Sequence, residues 1–173
     1  LRALVLEKLQ SYQDEIYGGE FNPVRRFYNN FEDNKKINNK DDFDNLKRHN
    51  ELNSVEIIAE RLSLVLRNNY DIKVEDQTKA NKRIDMTVAK TINGERKLLV
   101  IEAKGQWHKD IYSAAKEQLY DKYSIHPDAA GQGIYLVIWF SEFENITNKV
   151  NKDIHSADDL KTKIEQMLPD HLK

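Results

Sequence analysis

The sequence predicts an α/β domain: a central mixed sheet of about four to five strands, flanked by helices and preceded by an N-terminal helical appendage. Two observations support this prediction. From Glu51 onward, segments with helical spacing alternate with strand-like segments, which is typical of an α/β fold. The run Ile134–Phe140 is almost wholly apolar, as expected of a strand in the centre of a sheet with helices on both sides. Because this run follows a strand and then a helix, we expect a parallel, right-handed crossover.

Length and composition are those of a folded protein of one domain. The 173 residues, 39% of them hydrophobic, suffice for one core with a small appendage. No apolar run approaches the ~20 residues that span a bilayer, and no signal peptide is visible, so we expect a cytoplasmic protein without a membrane partner. The absence of cysteine excludes disulfides and thiolate metal sites and fits that compartment. With a net charge of −2, nucleic-acid binding would need a local basic patch.

The first part of the chain differs in composition from the rest. Apolar residues recur near helical spacing over 1–16 and predict a helix. The stretch 29–50 is rich in Asn, Asp and Lys and predicts a mobile loop or linker. We therefore divide the chain into an N-terminal helical segment with a polar linker over 1–46 and a main domain over 47–173. The first residue is Leu rather than Met, which indicates a domain of a larger protein.

The main domain contains three helical and four strand-like segments. The predicted helices are Glu51–Asn69, Asp110–Tyr123 and Ala157–Leu168, and the predicted strands are Tyr70–Glu75, Arg83–Ala89, Leu98–Ile101 and Ile134–Phe140. Ser156 is placed to cap the last helix. Gly94 lies in a polar break between the second and third strands, which predicts a hairpin.

The hairpin carries charged residues at the end of a buried strand. Glu102, Ala103 and Lys104 directly follow four apolar residues. Side chains alternate along a strand, so Glu102 and Lys104 share one face and Ala103 takes the other. Asp85 lies near the start of the preceding strand, so the three charged groups can converge where the sheet meets solvent. A hairpin with solvated charges is the plain alternative, but Glu and Lys after such a run are rarely buried without a partner.

The arrangement resembles the PD-(D/E)xK nuclease superfamily, the fold of many restriction endonucleases and of recombination and repair nucleases. The motif here is Asp85 followed by Glu102-Ala103-Lys104, within a resemblance that runs from roughly Glu51 to Phe140. Ile84 stands where the family name has Pro, a position that the family keeps loosely. The resemblance implies a restriction-endonuclease-like core and a nuclease that depends on Mg²⁺, with Mn²⁺ as the other candidate ion and DNA as the favoured substrate.

The resemblance also implies roles for the residues of the motif. Asp85 and Glu102 would bind the metal, since carboxylates on adjacent strands can hold a hard divalent cation, and the Ala103 carbonyl would be a further ligand. Lys104 would orient the attacking water or offset charge that builds on the phosphate.

A helix carboxylate and several flanking residues complete the predicted site. In the superfamily a Glu from the first core helix often joins the metal site. Glu51 is the first choice here, although the helix dipole alone also favours a Glu in a first turn. Glu56 and Glu60 are the alternatives on the same helix, and each could equally be a solvated side chain.

Other residues are candidates for supporting the site or for contacting nucleic acid. Several branches place a Gln, with a Tyr one turn later, in the helix after the ExK strand, and Gln118 and Tyr123 match this with a spacing of five rather than four. Cations that precede Asp85 could neutralise phosphates, although a solvated loop accounts equally well for Lys79 and Lys82. Trp107 could stack on a base or pack against the following helix. The nucleic-acid candidates are Lys79, Lys82, Arg83 and Trp107.

Three functions follow from these observations. The first is a Mg²⁺-dependent phosphodiesterase, most simply an endodeoxyribonuclease. The second is a catalytically inactive module of the same fold that binds nucleic acid or protein, and the third is an unrelated α/β domain in which the ExK is accidental. The apolar frame around the motif is similar to that of nuclease domains in large bacterial proteins, including anti-phage defence proteins. We therefore expect other domains of a larger protein as partners, and a homodimer is a further expectation.

Overall fold

The computed structural model of the chain describes residues 1–18, 23–30, 41, 46–77, 83–146 and 154–170. In the ranges just given, the α-helices with described bounds are α1, α2 and α3, which span Arg2–Gly18, Glu51–Leu66 and Ala157–Met167. Four strands, β1 to β4, span Asp71–Gln77, Arg83–Ile92, Glu95–Gly105 and Gly133–Ile138, and a π-helix spans Ala115–Tyr123. Within these described residues, no helix is long and apolar enough to cross a membrane.

The strands form one mixed sheet in the order β1-β2-β3-β4. β2 pairs antiparallel with β1 and with β3, and β3 pairs parallel with β4. Asn93 and Gly94 join β2 to β3 with positive φ angles of 52° and 82°, the backbone that a two-residue hairpin turn requires and that Asn-Gly adopts readily. The predicted hairpin, the parallel last strand and the α/β class with a four-stranded mixed sheet are confirmed.

The position of β4 corrects the sequence prediction. We expected this strand in the centre of the sheet, but in the described part of the chain it lies at the edge, beside β3 alone. Its apolar run has a different cause, because both of its faces are covered. Ile134 and Ile138 pack into a core shared with α1 and α2. Tyr135 and Val137 pack on the opposite face against a cluster that includes Leu160 of α3.

The N-terminal helix contributes to the main core. Val5 of α1 is fully buried, and Tyr12 is 6% exposed, in a cluster that also contains residues of α2, β2 and β3. Backbone hydrogen bonds tie the following segment to the stretch before α2, since the His49 amide donates to the Phe27 carbonyl over 2.8 Å. Residues 1–30 and the main domain therefore share a core wherever they are described. The division into 1–46 and 47–173 stays a prediction.

The helix after β3 differs from the predicted α-helix over Asp110–Tyr123. Residues 109–113 form turns, and the regular helix is the π-helix Ala115–Tyr123. The Ser124 amide donates to the Leu119 carbonyl, five residues back, over 2.8 Å, which is the π-helical pattern. In the predicted pair, Tyr123 is buried in line with Ala115 and Leu119, whereas Gln118 is partly exposed.

Candidate metal and catalytic site

The β2–β3 pairing brings two carboxylates side by side. The antiparallel ladder pairs Met86 with Ile101, so the next residues along the two strands are Asp85 and Glu102. Asp85 is anchored by its own neighbour strand, because the Ala103 amide donates to its Oδ2 over 2.9 Å. Directly opposed side chains on one face of a sheet are within contact distance. The strand register thus creates the carboxylate pair that the sequence predicted.

Lys104 joins this pair at the end of β3. Its Nζ donates to Glu102 Oε1 over 2.5 Å, to the Ala103 carbonyl over 2.9 Å and to Asp85 Oδ2 over 3.4 Å. The sequence placed these groups where the sheet meets solvent, but Glu102 is 1% exposed and Lys104 is 4% exposed. The reason is that β3 is an interior strand, flanked by β2 and β4. The charged groups are consequently held in a protein environment, where their mutual interactions are strong.

The first turn of α2 supplies a third carboxylate. Asn50 caps this helix, because its side chain accepts the Asn53 amide over 2.8 Å, and Glu51 follows as the first helical residue. Glu51 Oε2 accepts the Gly105 amide over 2.8 Å, and its Oε1 lies 3.8 Å from Lys104 Nζ. Of the three helix candidates, Glu51 is the one that the structure brings to the other charged residues. We refer to Glu51, Asp85, Glu102 and Lys104 as the charged cluster.

The two alternatives to Glu51 lie elsewhere on α2. Glu56 and Glu60 are exposed, and Glu60 forms an ion pair with Arg26. Both therefore belong to the solvated side of the helix, as the plain interpretation of a charged helix face anticipated.

Burial and mutual repulsion shape the protonation of the charged cluster. Burial, followed by the negative charges of Asp85 and Glu51, raises the pKa of Glu102 to about 7, although the hydrogen bond from Lys104 acts in the opposite direction. Burial lowers the pKa of Lys104, but its hydrogen bond to Glu102 and the surrounding carboxylates outweigh that effect and raise it. Lys104 therefore carries its proton at neutral pH, while Glu102 titrates in the physiological range.

The donor chemistry of the charged cluster fits a hard divalent cation. Three carboxylates face one ammonium group, and Glu102 Oε2 is buried without a hydrogen-bond partner among the described residues. Such an orphaned carboxylate oxygen is costly unless a cation or donor reaches it. In the described part of the chain, no three His, Cys, Asp or Glu side chains already stand as a ligand group. Here the Lys104 ammonium lies among the carboxylates as their counter-ion.

Two tyrosines and a glutamine border the charged cluster or its strand. The sequence analysis paired Tyr123 with Gln118 but gave no role to Tyr135 and Gln106. The Tyr123 hydroxyl donates to the Arg83 carbonyl over 2.7 Å, two residues before Asp85. Tyr135 is paired with Glu102 across β3 and β4 and donates to the Ile111 carbonyl over 2.7 Å. Burial raises the pKa of Tyr135 well above its usual range, with the Glu102 charge as the next cause. The sequence signal for the role of Tyr135 was a side chain able to form a hydrogen bond within an otherwise apolar strand.

Gln106 is the third of these residues. It is fully buried, and its Oε1 accepts the Phe140 amide over 2.7 Å while its Nε2 donates to the Ser141 carbonyl over 2.8 Å. Gln106 thereby fixes the end of β3 to the segment after β4. A polar residue immediately after a buried strand was the sequence signal for it.

The remaining predicted residues lie outside the charged cluster. Gln118 is partly exposed on the π-helix, and no hydrogen bond joins it to the charged cluster within the described residues. Arg83 is exposed and forms an ion pair with Glu75 on β1. Trp107 packs against Arg48 and Phe140. The nucleic-acid candidates Lys79 and Lys82 fall outside the described residues.

A comparison with protein families matches residues 24–142, more than half of the chain, to a family described as Domain of unknown function (DUF8371). The chain belongs to the DUF8371 family. The matched region of this DUF8371 protein contains the whole charged cluster, the hairpin and β4. No curated protein and no solved structure matches the chain. The family description assigns no activity.

Proposed function

We propose that this protein is a divalent-metal-dependent nuclease with a restriction-endonuclease-like core, which hydrolyses phosphodiester bonds, in DNA by preference. The observation that carries the proposal is the convergence of the Asp85, Glu102 and Glu51 carboxylates on the Lys104 ammonium. Three carboxylates leave the buried site with an excess of negative charge. A divalent cation would offset that excess.

The residues that would hold Mg²⁺ or Mn²⁺ are Asp85, Glu102 and Glu51, with the Ala103 carbonyl as a further oxygen. When bound, the ion would supply Lewis acidity to the scissile phosphate and to the attacking water. The chain itself contributes preorganisation. The Ala103 and Gly105 amides hold Asp85 and Glu51 in place over 2.9 and 2.8 Å, so these carboxylates need little reordering before they act.

Lys104 supplies the positive charge for the reaction. Its ammonium is a compact donor on a long stem, and the carboxylates around it keep it protonated. In this position it donates a hydrogen bond to a non-bridging phosphate oxygen as charge develops there, or orients the water. A protonated amine offers no lone pair and is not itself a ligand.

The setting of the activity also belongs to the proposal. The resemblance in sequence to nuclease domains of bacterial proteins supports a domain of a larger cytoplasmic protein, including one of anti-phage defence. Homodimer formation would fit a nuclease that cuts both strands.

A second candidate is a catalytically inactive module that binds nucleic acid or protein. Its supporting observation is that Lys104 already bonds Glu102, Ala103 and Asp85, so the charged cluster has an internal counter-ion. Calorimetry separates the two, since an inactive module takes up no divalent ion.

The test combines metal binding with cleavage. We expect heat of binding on titration with Mn²⁺, and cleavage of plasmid or linear duplex in Mg²⁺ that EDTA abolishes, with RNA as the comparison substrate. Asp85→Asn and Glu102→Gln should each abolish both signals because each removes a charged oxygen ligand. The matched control is Asp71→Asn, an exposed carboxylate on β1, which should change neither. A chain that takes up no Mn²⁺ and cuts none of these substrates contradicts the proposal.

A further inference from the structure

A stack of side chains lies beside the charged cluster. The Arg48 guanidinium lies 3.4 Å from the centre of the Trp107 ring, and the Trp107 ring lies 5.6 Å from the Phe140 ring. A guanidinium over a Trp face gains a cation–π attraction, which grows when the pair is shielded from water. One face of Trp107 is therefore occupied by Arg48.

An ion pair holds the Arg48 side chain of this stack in place. Arg48 Nε pairs with Glu144, and the two side chains are 25% and 11% exposed. Glu144 belongs to the segment after β4, which Gln106 also holds, because Gln106 Nε2 donates to the Glu144 carbonyl over 3.3 Å. Arg48 is thus fixed both by an aromatic ring and by a carboxylate that is itself anchored.

The stack connects the two segments that carry the charged cluster. Arg48 precedes Glu51 by three residues, and Trp107 follows Lys104 by three. Gly105 lies between Lys104 and Trp107 in the chain. A Cβ atom added to Gly105 would meet carbon atoms of the Trp107 ring at 2.5 and 2.6 Å. Trp107 therefore packs directly on the Gly105 backbone. The amide of Gly105 is the group that holds Glu51, over 2.8 Å.

We infer that Arg48 and Trp107 are positioning residues that clamp the start of α2 onto the end of β3 and so hold Glu51 at the candidate metal site. Arg48 presses Trp107 against Gly105, and Gly105 presents its amide to Glu51. Trp107 acts in this way through packing, with one face of its ring covered by Arg48. The metal-binding part of this inference rests on the proposed function, whereas the hydrogen bond from Gly105 to Glu51 exists without metal.

The test uses conservative variants with a matched control. Arg48→Lys keeps the charge but loses the planar group that stacks on Trp107. Arg61→Lys is the control, because Arg61 also pairs with a carboxylate, Glu15, and lies 5.6 Å from an aromatic ring, Tyr12, far from the charged cluster. Trp107→Phe retains a ring and Trp107→Ala removes it. Melting temperatures establish that each variant is folded.

Three measured quantities should change together in Arg48→Lys and in Trp107→Ala: the exchange rate of the Gly105 amide, the affinity for Mn²⁺ and kcat. Hydrogen exchange of the Gly105 amide in the metal-free protein should accelerate about tenfold, as protection by the bond to Glu51 is lost. Mn²⁺ affinity should fall about tenfold, the scale of losing a group that orients a metal ligand, and kcat should fall with it. KM for duplex DNA should stay unchanged, and Trp107→Phe should restore most of each loss. Arg61→Lys should leave all of them as in the parent.

The outcomes that overturn the inference differ from those that overturn the nuclease proposal. Identical Gly105 exchange in Arg48→Lys and Arg61→Lys shows that Arg48 does not position Glu51. Weaker DNA binding by Trp107→Ala, with Gly105 exchange unchanged, makes Trp107 a nucleic-acid contact. If the parent takes up no Mn²⁺, the nuclease proposal fails, and Gly105 exchange in the metal-free protein alone then decides the positioning role.

Discussion

The metal-free protein should lose stability as pH rises from about 5 to about 8, and Glu102 should account for the loss. Burial and the neighbouring carboxylates raise the pKa of Glu102 from 4.5 to about 7. Between these two values the folded chain holds a proton that the unfolded chain has released. Raising the pH therefore favours the unfolded state. The stabilising contribution is complete below pH 4.5 and lost once the pH passes about 7.

The size of this loss of stability follows from the pKa shift of Glu102. The rise from 4.5 to about 7, at about 1.4 kcal/mol for each pH unit, gives a loss of about 3 kcal/mol. In a domain of this length, each kcal/mol moves the melting temperature by about 2–4 °C, so the full effect is about 10 °C. This magnitude is appropriate to Glu102 because its side chain is almost completely buried.

Thermal melts followed by circular dichroism across this pH range, in EDTA, measure the loss. Glu102→Gln should melt at a temperature that depends less on pH, since an amide does not titrate, and Glu56→Gln serves as the exposed control. The difference in unfolding free energy between the parent and Glu102→Gln should therefore change by about 3 kcal/mol over the series. A constant difference would refute the idea that Glu102 ionises inside the folded charged cluster. Saturating Mg²⁺ should offset the loss above pH 7 by mass action.

Three further predictions concern neighbouring residues. Lys104→Ala should keep or strengthen Mg²⁺ binding and should weaken DNA binding only modestly. Single-turnover cleavage, however, should slow by about a hundredfold or more. Cleavage at the parental rate would reduce Lys104 to a structural counter-ion. Glu51→Ala should lower Mn²⁺ affinity and cleavage while Glu56→Ala does neither, and equal activities would show that α2 provides no ligand. Gly105→Ala should lower the unfolding free energy by about 1–3 kcal/mol in denaturant titrations, because the added methyl overlaps the Trp107 ring; unchanged stability would mean that the ring moves freely.

Local pattern and chemistry were sufficient to predict the hairpin and the charged cluster. Gly94 in a polar break predicted the turn, and strand alternation predicted that Glu102 and Lys104 share a face. The helix carboxylate was predicted through the family resemblance, which implies a Glu of the first core helix at the metal site, and Glu51 was the first choice among three. These features depend on contacts within one hairpin or on one helix end. They require little knowledge of the rest of the fold.

Features that depend on distant segments were not predictable. An apolar strand such as β4 needs two covered faces, and a central or an edge position satisfies that requirement equally well. The burial of Glu102 depends on which strands flank β3. Arg48 and Glu144 are separated by 96 residues, so no local pattern relates them. Only the general roles of an aromatic residue could therefore be assigned to Trp107.

The π-helix also has a consequence for how relatives of this chain are aligned. Its buried residues Ala115, Leu119 and Tyr123 recur every four positions, a period that an α-helix and a π-helix both tolerate. A relative with an ordinary α-helix here would present its Gln and Tyr four residues apart and would be one residue shorter. An alignment should therefore place a single-residue gap within this helix, between the ExK strand and β4. A motif search that fixes the Gln–Tyr spacing at four will miss chains of this kind, in which the Tyr follows the Gln by five residues.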